Sequence, residues 1–368
     1  MNIKIPVYKP SIAEREKEYV NQCLDSSWIS SKGKFVELFE NEFAKETEVK
    51  YATSVSNGTV ALHLALLSLG IGEDDEVIVP TFTYIASVNS IQYTGATPVF
   101  VDCDPVSWQI NPIEVEKKIT NKTKAIMVVH LYGQSCDMKS ICDIANRYNL
   151  FVVEDCAEAF GTKFNDRHVG TFGDIATYSF FGNKTITTGE GGMVVTNNET
   201  LYERAKHLKS QGLADHRQYW HDTIGYNYRL TNIACAIGLA QLERSKSLLE
   251  RKREIADYYK ERFENTNYYF HQEVSGTYHS YWMCSILINK DKFGKNTRDK
   301  LRNHLDSKGI ETRPLFYPVH TMPMHYSKYE MHKVSEDISR RGINLPSYPD
   351  LTEKELEYIC ESILSYEL

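Results

Sequence analysis

The chain has 368 residues, 42% hydrophobic and 25% charged, which is typical of a globular enzyme too long for one small core. Its 42 basic residues are outnumbered by 49 acidic ones, and the net charge of -7 argues against a nucleic-acid partner. The first ten residues contain no apolar secretory segment, and no window approaches the ~18 uninterrupted apolar residues of a membrane span.

The first half of the chain alternates predicted helices with predicted strands. Helices are predicted at 14–24, 35–44, 60–69, 86–93 and 138–148. Strands are predicted at 51–55, 76–79, 98–101, 124–129, 150–154, 176–181 and 193–196. This alternation indicates a doubly wound, mostly parallel sheet, and such sheets bind ligands at the carboxyl ends of their strands.

Two turns in this region have both a structural and a functional interpretation. Residues 26–33, which include Trp28, Ser30 and Ser31, form either a connector with a core aromatic or a loop that covers a ligand. Residues 56–59 lead from a strand into a helix, where free amides and the helix dipole suit a phosphate. The same residue types also simply cap helices.

Asp155 and Lys184 are the candidate reactive residues. Asp155 follows a predicted strand, where a partly buried carboxylate needs a cation or a donor, although it could instead cap the next helix. Lys184 lies between two predicted strands with Gly189, Gly191 and Gly192 after it, which indicates either close approach of a ligand or a solvated hairpin tip. The strand pattern allows both side chains to reach the same edge of the sheet.

The rest of the chain predicts a loop, a connector and a second domain. Residues 211–229 form a long aromatic-rich loop, and 231–264 form one or two helices. We expect a large domain over 1–245 and a smaller one over 246–368. The second domain is predicted to contain a strand at 281–288, a helix at 297–308, a proline-rich segment at 312–323 and a closing helix at 352–366.

Pyridoxal phosphate (PLP) would use all of these parts. It needs a lysine for its covalent link, a carboxylate that keeps its ring nitrogen protonated, donors for its phosphate and a flat side chain against its ring. Lys184, Asp155, the turn at Gly58 and Thr59 with Ser179, and Tyr84 match these needs. A metal is not expected, because the cysteines are scattered and His320 and His325 have no further ligand cluster. Scattered cysteines also favour the reducing cytoplasm.

Several motifs in order resemble the DegT/DnrJ/EryC1/StrS sugar aminotransferases, which have the fold-type I architecture of PLP enzymes. The motifs that carry this resemblance span 55–59, 80–84, 154–159, 179–184, 189–192, 225–229 and 341–347. The resemblance covers nearly the whole chain. It implies an α/β fold in which a large domain, with a mostly parallel seven-stranded sheet flanked by helices, precedes a smaller C-terminal α+β domain.

The resemblance also implies roles for individual residues. Lys184 would be the Schiff-base lysine and general acid and base, and Asp155 would pair with the ring nitrogen. Glu158, where many relatives have glutamine, would lie near the ring hydroxyl. Tyr84 would stack on the ring, and Gly58, Thr59 and Ser179 would bind the phosphate. Asn227 would come from a second subunit, which implies a homodimer with shared sites and allows a dimer of dimers.

The implied reaction is transfer of an amino group from L-glutamate to C4 of a nucleotide-linked 4-keto-6-deoxy sugar, for surface polysaccharide such as O-antigen. GDP-4-keto-6-deoxymannose is the expected substrate. A dTDP- or UDP-linked sugar, a PLP-dependent dehydratase and a non-catalytic regulator are alternatives. The substrate candidates, each of which could instead have a surface or packing role, are Trp28, Ser30, Ser31, Asn183, Arg217, Trp220, His221, Arg313, Tyr317 and His320.

Overall fold

The computed structural model describes residues 5–292, 294 and 297–367. The helices are α1 (Glu14–Asp25), α2 (Lys34–Glu46), α3 (Gly58–Ser68), α4 (Ile85–Tyr93), α5 (Pro112–Lys117), α6 (Met138–Tyr148), α7 (Glu199–Lys209), α8 (Asn232–Glu243), α9 (Ser245–Phe263), α10 (Thr297–Ser307), α11 (Lys333–Arg341) and α12 (Glu353–Leu364). The strands are β1 (Tyr51–Val55), β2 (Glu76–Pro80), β3 (Thr97–Val101), β4 (Thr123–Val129), β5 (Phe151–Asp155), β6 (Lys163–Phe164), β7 (Arg167–His168), β8 (Ile175–Ser179), β9 (Gly192–Thr196), β10 (Tyr268–Phe270), β11 (Thr277–Tyr278), β12 (Cys284–Ile288), β13 (Arg313–Pro314) and β14 (Gly342–Leu345).

The central sheet has seven strands in the order β1-β9-β8-β5-β4-β2-β3. Only β9 runs against its neighbours, because it returns from β8 through a hairpin and pairs antiparallel with both β8 and β1. The remaining strands point the same way, so the predicted mostly parallel seven-stranded sheet is confirmed. Their carboxyl ends meet at one edge, where β5 ends at Asp155 and β8 ends at Ser179.

Helices cover both faces of this sheet. The helix α3 is apolar nearly all round and packs with α4 and α7 against one face. The other face is covered by α2, α6 and α8, which bury their apolar side chains against it. The alternation of side chains along each strand explains both layers, since Val77 and Val79 face the first while Ile78 faces the second.

A second, antiparallel sheet follows in the order β10-β12-β14-β13, with α9, α10 and α12 packed against it. We propose a domain boundary near Arg244, which separates α8 from α9. The N-terminal segment crosses this boundary, because Ile5 pairs with Ile310 and is buried in the C-terminal core. Within the described residues, no helix combines the length and the apolar character that crossing a bilayer requires.

Candidate active site

Lys184 lies in the turn that joins β8 to β9. The turn folds back on its strand, since the amide of Lys184 donates to the carbonyl of Phe181 at 2.9 Å and that of Thr188 donates to Phe180 at 2.9 Å. Gly189 has a φ of +83°, a conformation that favours glycine. The Lys184 side chain is only 13% exposed, so it points inward, in contrast to the solvated tip considered from the sequence.

Two buried carboxylates face this lysine. Glu158 is closest, with its Oε1 atom 3.8 Å from Nζ of Lys184, and its Oε2 atom accepts the amide of Tyr132 at 2.8 Å. Burial lowers the pKa of Lys184 from its ordinary value, against the opposing effect of the negative charges of Glu158 and Asp155. A lowered pKa leaves more of the lysine as neutral amine, the form that can act as a nucleophile or accept a proton.

Asp155 occupies the last position of β5 and is 4% exposed. Its Oδ1 atom accepts the amide of Ala157 at 3.0 Å, and its Oδ2 atom accepts the hydroxyl of Ser87 at 2.8 Å. Burial raises the pKa of Asp155, while these two donors and Lys184 favour the ionised form. No helix follows Asp155, so it does not cap one; it instead holds the turn that carries Glu158.

The start of α3 faces the end of β8. Asn57 caps the helix by accepting the amide of Val60 at 3.0 Å, which leaves the amides of Gly58 and Thr59 at the helix tip. A Cβ atom on Gly58 would lie 2.8 Å from Cβ of Ser179, so only glycine lets the two elements come this close. The amides of Gly58 and Thr59 and the hydroxyls of Thr59 and Ser179 therefore lie at the N-terminus of α3, the positive end of its dipole.

One cavity of about 630 Å³ connects these groups. It lies at the carboxyl edge of the central sheet and is closed on the far side by residues of the C-terminal sheet and its loops. Its lining includes Gly58, Thr59, Tyr84, Asp155, Glu158, Ser179, Asn183, Lys184, Trp282, Arg313, Phe316 and Asn344. The chain therefore brings a buried amine, two carboxylates, a helix tip with free amides and an exposed tyrosine to one cavity.

A family model for the DegT/DnrJ/EryC1/StrS aminotransferases matches residues 10–364. The chain belongs to this family. It is 64% identical to GDP-perosamine synthase of Escherichia coli O157:H7, over 98% of this chain and 97% of that one. It is 50% identical to GDP-perosamine synthase of Vibrio cholerae, over 98% and 99% of the two chains.

The solved structure of the sugar aminotransferase Spr1654 from Streptococcus pneumoniae in its PLP form superposes with a TM-score of 0.93. The two chains are 26% identical, and the superposition covers 99% of this aminotransferase and 98% of Spr1654. The resemblance inferred from the motifs is confirmed by the family match, and the expected fold-type I architecture is confirmed by the structural neighbours.

The aminotransferase cavity fits PLP on the evidence of its own residues. Gly58 lets the tip of α3 come close to Ser179, which brings the free helix amides and this hydroxyl together, as binding of one phosphate by both would require. Among the described residues, nothing donates to the buried Oδ1 atom of Asn183, which lines the same cavity and would accept a bond from a polar ligand. The amine and the carboxylates of the chain supply the other groups that PLP requires.

Several candidate residues lie away from this cavity within the described chain. They are Trp28, Ser30, Ser31, Arg217, Trp220, His221, Asn227, Tyr317 and His320. Trp28, Trp220 and Asn227 are exposed, so they are available to another molecule. His320 is not available, because it is 2% exposed and its ring nitrogens contact Thr81 at 2.7 Å and Glu336 at 3.3 Å.

Several residues that line the cavity were not predicted from the sequence, among them Ser87, Trp282, Phe316 and Asn344. Trp282 contacts the reactive lysine directly, since Nζ of Lys184 lies 3.9 Å from the centre of its indole ring. Its Nε1 atom also donates to the carbonyl of Asn183 at 2.8 Å. Asn344 falls inside a family motif, which is a usable signal, whereas nothing in the local sequence of Trp282 indicates its proximity to Lys184.

His130, Glu154 and Cys156 form a buried group with metal-ligand chemistry close to Asp155. The polar atoms of His130 and Glu154 already have partners within the protein. Glu154 accepts the amides of Gly170, Phe172 and Gly173 as well as Nε2 of His130, and Nδ1 of His130 accepts the amide of Cys136. These contacts connect β5 to the segment 170–173 and to His130, so they give the group a structural role. The expectation of no metal stays a prediction.

Proposed function

We propose that this aminotransferase uses PLP to move an amino group from L-glutamate to C4 of GDP-4-keto-6-deoxymannose, which forms GDP-perosamine for a surface polysaccharide such as O-antigen. The observation that carries the proposal is the convergence of Lys184, Asp155 and the Gly58 helix tip on one cavity. The identity of the sugar is supported by the two GDP-perosamine synthases, which match over nearly their whole length.

When bound, PLP supplies an electron sink for the electrons left behind when a proton leaves carbon. Lys184 holds the cofactor and, as a neutral amine, moves a proton between the two carbons on either side of the transferred nitrogen. Asp155 keeps the ring nitrogen protonated, because its ionised carboxyl is fixed by two donors in a buried site. Glu158 would lie near the ring hydroxyl, and its Oε1 atom is 3.8 Å from Nζ of Lys184.

The remaining cofactor contacts follow from the same geometry. The amides of Gly58 and Thr59 and the hydroxyls of Thr59 and Ser179 bind the phosphate at the α3 tip. Tyr84, at the start of α4, is exposed and lines the cavity, so its ring is available to stack on the cofactor.

The substrates occupy the open part of the cavity. Arg313 lines it, and its guanidinium suits the carboxylate of glutamate or a phosphate of the nucleotide, with Asn183 as a polar neighbour. The exposed loops that carry Trp28, Ser30 and Ser31, and Arg217, Trp220 and His221, reach the site of a partner subunit in a homodimer. Asn227 completes the partner's phosphate site in the same way, and two such dimers can assemble further.

The cytoplasm is the proposed location. All eight cysteines are free, and seven of them are buried, as expected of thiols that serve as small core residues in a reducing compartment. Nucleotide sugars and glutamate are soluble, so no membrane contact is required for the reaction.

The test is incubation of the purified enzyme with PLP, GDP-4-keto-6-deoxymannose and glutamate that carries an isotopic label on its amino nitrogen. We expect the label in an amino sugar identified by mass. Parallel reactions with dTDP- and UDP-linked ketosugars test the nucleotide, and a deoxygenated product without glutamate consumption would indicate a dehydratase. Failure to transfer the label to any nucleotide sugar would refute the proposal.

Lys184→Gln should reduce turnover by at least about a thousandfold, because it removes both the covalent anchor and the proton carrier. The label assay measures this loss. Lys124→Gln, a substitution of an exposed lysine on β4, is the control and should retain wild-type turnover. Appreciable activity in Lys184→Gln would show that another group moves the proton.

A further inference from the structure

The Asp155 carboxylate depends on one hydroxyl from a distant element. Its Oδ1 atom is satisfied locally by the Ala157 amide, but its Oδ2 atom accepts the hydroxyl of Ser87, on α4, at 2.8 Å. Ser87 is 68 residues away along the chain and 1% exposed. Among the described residues, it is the only side chain that donates a hydrogen bond to Asp155. Because both Ser87 and Asp155 are buried, a water molecule could not easily take the place of the Ser87 hydroxyl as a donor to Asp155.

The direction of this hydrogen bond is fixed by chemistry. An ionised carboxyl can only accept, so Ser87 must give its single proton to Asp155. The hydroxyl of Thr83 lies 3.1 Å from that of Ser87, and it must therefore be the donor in that contact. Thr83 is also buried, so the two hydroxyls form a short directed chain that ends on Oδ2.

Other charges near Asp155 do not replace this chain. Lys184 is the nearby cation, but its charge changes whenever it takes up or releases a proton. Glu158 is a second buried carboxyl, and its negative charge works against ionisation of Asp155. The adjacent His130 and Cys156 also face the carboxyl, but neither donates a hydrogen bond to it. The two donors, Ala157 and Ser87, carry no charge that changes when Lys184 takes up or releases a proton.

We propose that Ser87 is a positioning residue, which acts through Asp155 to hold this carboxylate against the ring nitrogen of PLP. The proposal rests on the proposed function and deepens it. Ser87 lines the cofactor cavity, yet its proton is committed to Asp155, so its contribution to cofactor binding is indirect.

The experiment compares Ser87→Ala with two controls. Ser87→Thr keeps the hydroxyl. Ser90→Ala removes another buried hydroxyl from the same helix, one that donates to the carbonyl of Ser87 at 2.9 Å and has no contact with Asp155. Apo-enzyme of each variant is titrated with PLP, and binding is followed by absorbance from about pH 5 to about pH 8, the range over which a buried carboxyl can titrate.

We expect Ser87→Ala to bind PLP about ten- to a hundredfold more weakly at neutral pH, since one hydrogen bond to a charged group is lost. Loss of the donor also raises the pKa of Asp155, so affinity should begin to fall at a higher pH than in the wild type as the solution is acidified. Ser87→Thr should recover most of the affinity, and Ser90→Ala should bind as the wild type does.

Wild-type affinity in folded Ser87→Ala at every pH would overturn this inference and leave the proposed function intact. Equal losses in Ser87→Ala, Ser87→Thr and Ser90→Ala would also overturn it, because they would indicate packing alone. Absence of PLP binding by the wild type would refute the proposed function and this inference together. If Ser87→Ala does not fold, Thr83→Val is titrated with PLP instead. We expect its affinity to fall in the same direction as predicted for Ser87→Ala, but by less. An affinity equal to that of the wild type at every pH would overturn the inference.

Discussion

Glu158 shares a buried cavity with Asp155 and Lys184, so one ammonium faces two carboxyls. Burial raises the pKa of Glu158 from 4.5 to about 7, although the positive charge of Lys184 and the amide of Tyr132 oppose this effect. Glu158 therefore titrates near neutral pH in the folded apo-enzyme. A glutamine at this position would donate or accept hydrogen bonds but would not titrate.

Glu158→Gln should remove a pH dependence from the stability of the apo-enzyme. Because the folded-state pKa is raised, Glu158 contributes stability that is fully present below about pH 4.5 and lost as pH rises to about 7. The variant should therefore gain stability relative to the wild type over this range, by about 1–3 kcal/mol. Thermal unfolding of both apo-proteins at several pH values measures the change.

Glu37→Gln is the matched control for this measurement, because Glu37 is exposed on α2. Its melting temperature should differ from that of the wild type by the same amount at every pH. A Glu158→Gln difference that is equally flat would mean that the pKa of Glu158 is not raised in the folded apo-enzyme.

Asp155 and Lys184 could be predicted as candidate reactive residues because each is a charged residue next to a predicted buried strand. Asp155 and Lys184 stand out because a charged side chain beside a buried strand needs a partner. Ser87 and Trp282 have no such signal, since a serine inside a helix and a tryptophan beside a strand are common in any core. Their roles arise from contacts between elements far apart in sequence, which residue types alone do not determine.

At the scale of elements, the N-terminus of α3 packs so closely against the end of β8 that the position of Gly58 has no room for a side chain. Gly58→Ala should push them apart, since the new Cβ atom would lie 2.8 Å from that of Ser179. We expect about tenfold or greater loss of PLP affinity, because both elements contribute groups to the proposed phosphate site. Titration of the apo-enzyme with PLP measures the loss.

Gly72→Ala is the control, because its Cβ atom would meet only the carbonyl of Thr94, at an ordinary 3.8 Å. Neither glycine has a positive φ, so the comparison tests space and not backbone strain. Unchanged affinity in Gly58→Ala would place the phosphate elsewhere in the cavity.

Most long elements were predicted from hydrophobic periodicity, and α6 was predicted with its observed bounds. The strand expected at 281–288 begins only at Cys284, because Tyr281 has a φ of +48° and breaks the extended conformation. The strands β11 and β13 have two residues each, too few for a periodic pattern, and were missed. Pairing with distant strands creates them.

At the scale of the whole molecule, Asn227 tests whether the site is shared between subunits. Asn227 is exposed and does not line the cavity of its own chain. We expect partial activity when a Lys184→Ala chain and an Asn227→Ala chain are co-expressed. In a mixed dimer, one of the two sites then has the lysine of one subunit and the asparagine of the other, so about half of the sites in the purified mixed dimer are intact.

The co-expressed pair is purified through two different tags and assayed for labelled amino sugar. Each variant expressed alone is the control and should show lower activity than the mixed dimer. Activity of the mixed dimer no higher than that of Asn227→Ala alone would place Asn227 and Lys184 in the same subunit's site.

The pairing of Ile5 with Ile310 has a consequence for the order in which the enzyme is made. The amide of Val7 donates to Glu311, 304 residues later in the chain. The N-terminal segment is therefore synthesised early but can form these contacts only after residues 310 and 311 have been synthesised. The turn that carries Lys184 also completes its contacts late, because the indole of Trp282 packs on Lys184 and donates to the carbonyl of Asn183. The central sheet can assemble while the ribosome is still adding residues, but Lys184 reaches its position beside Trp282 only near the end of translation.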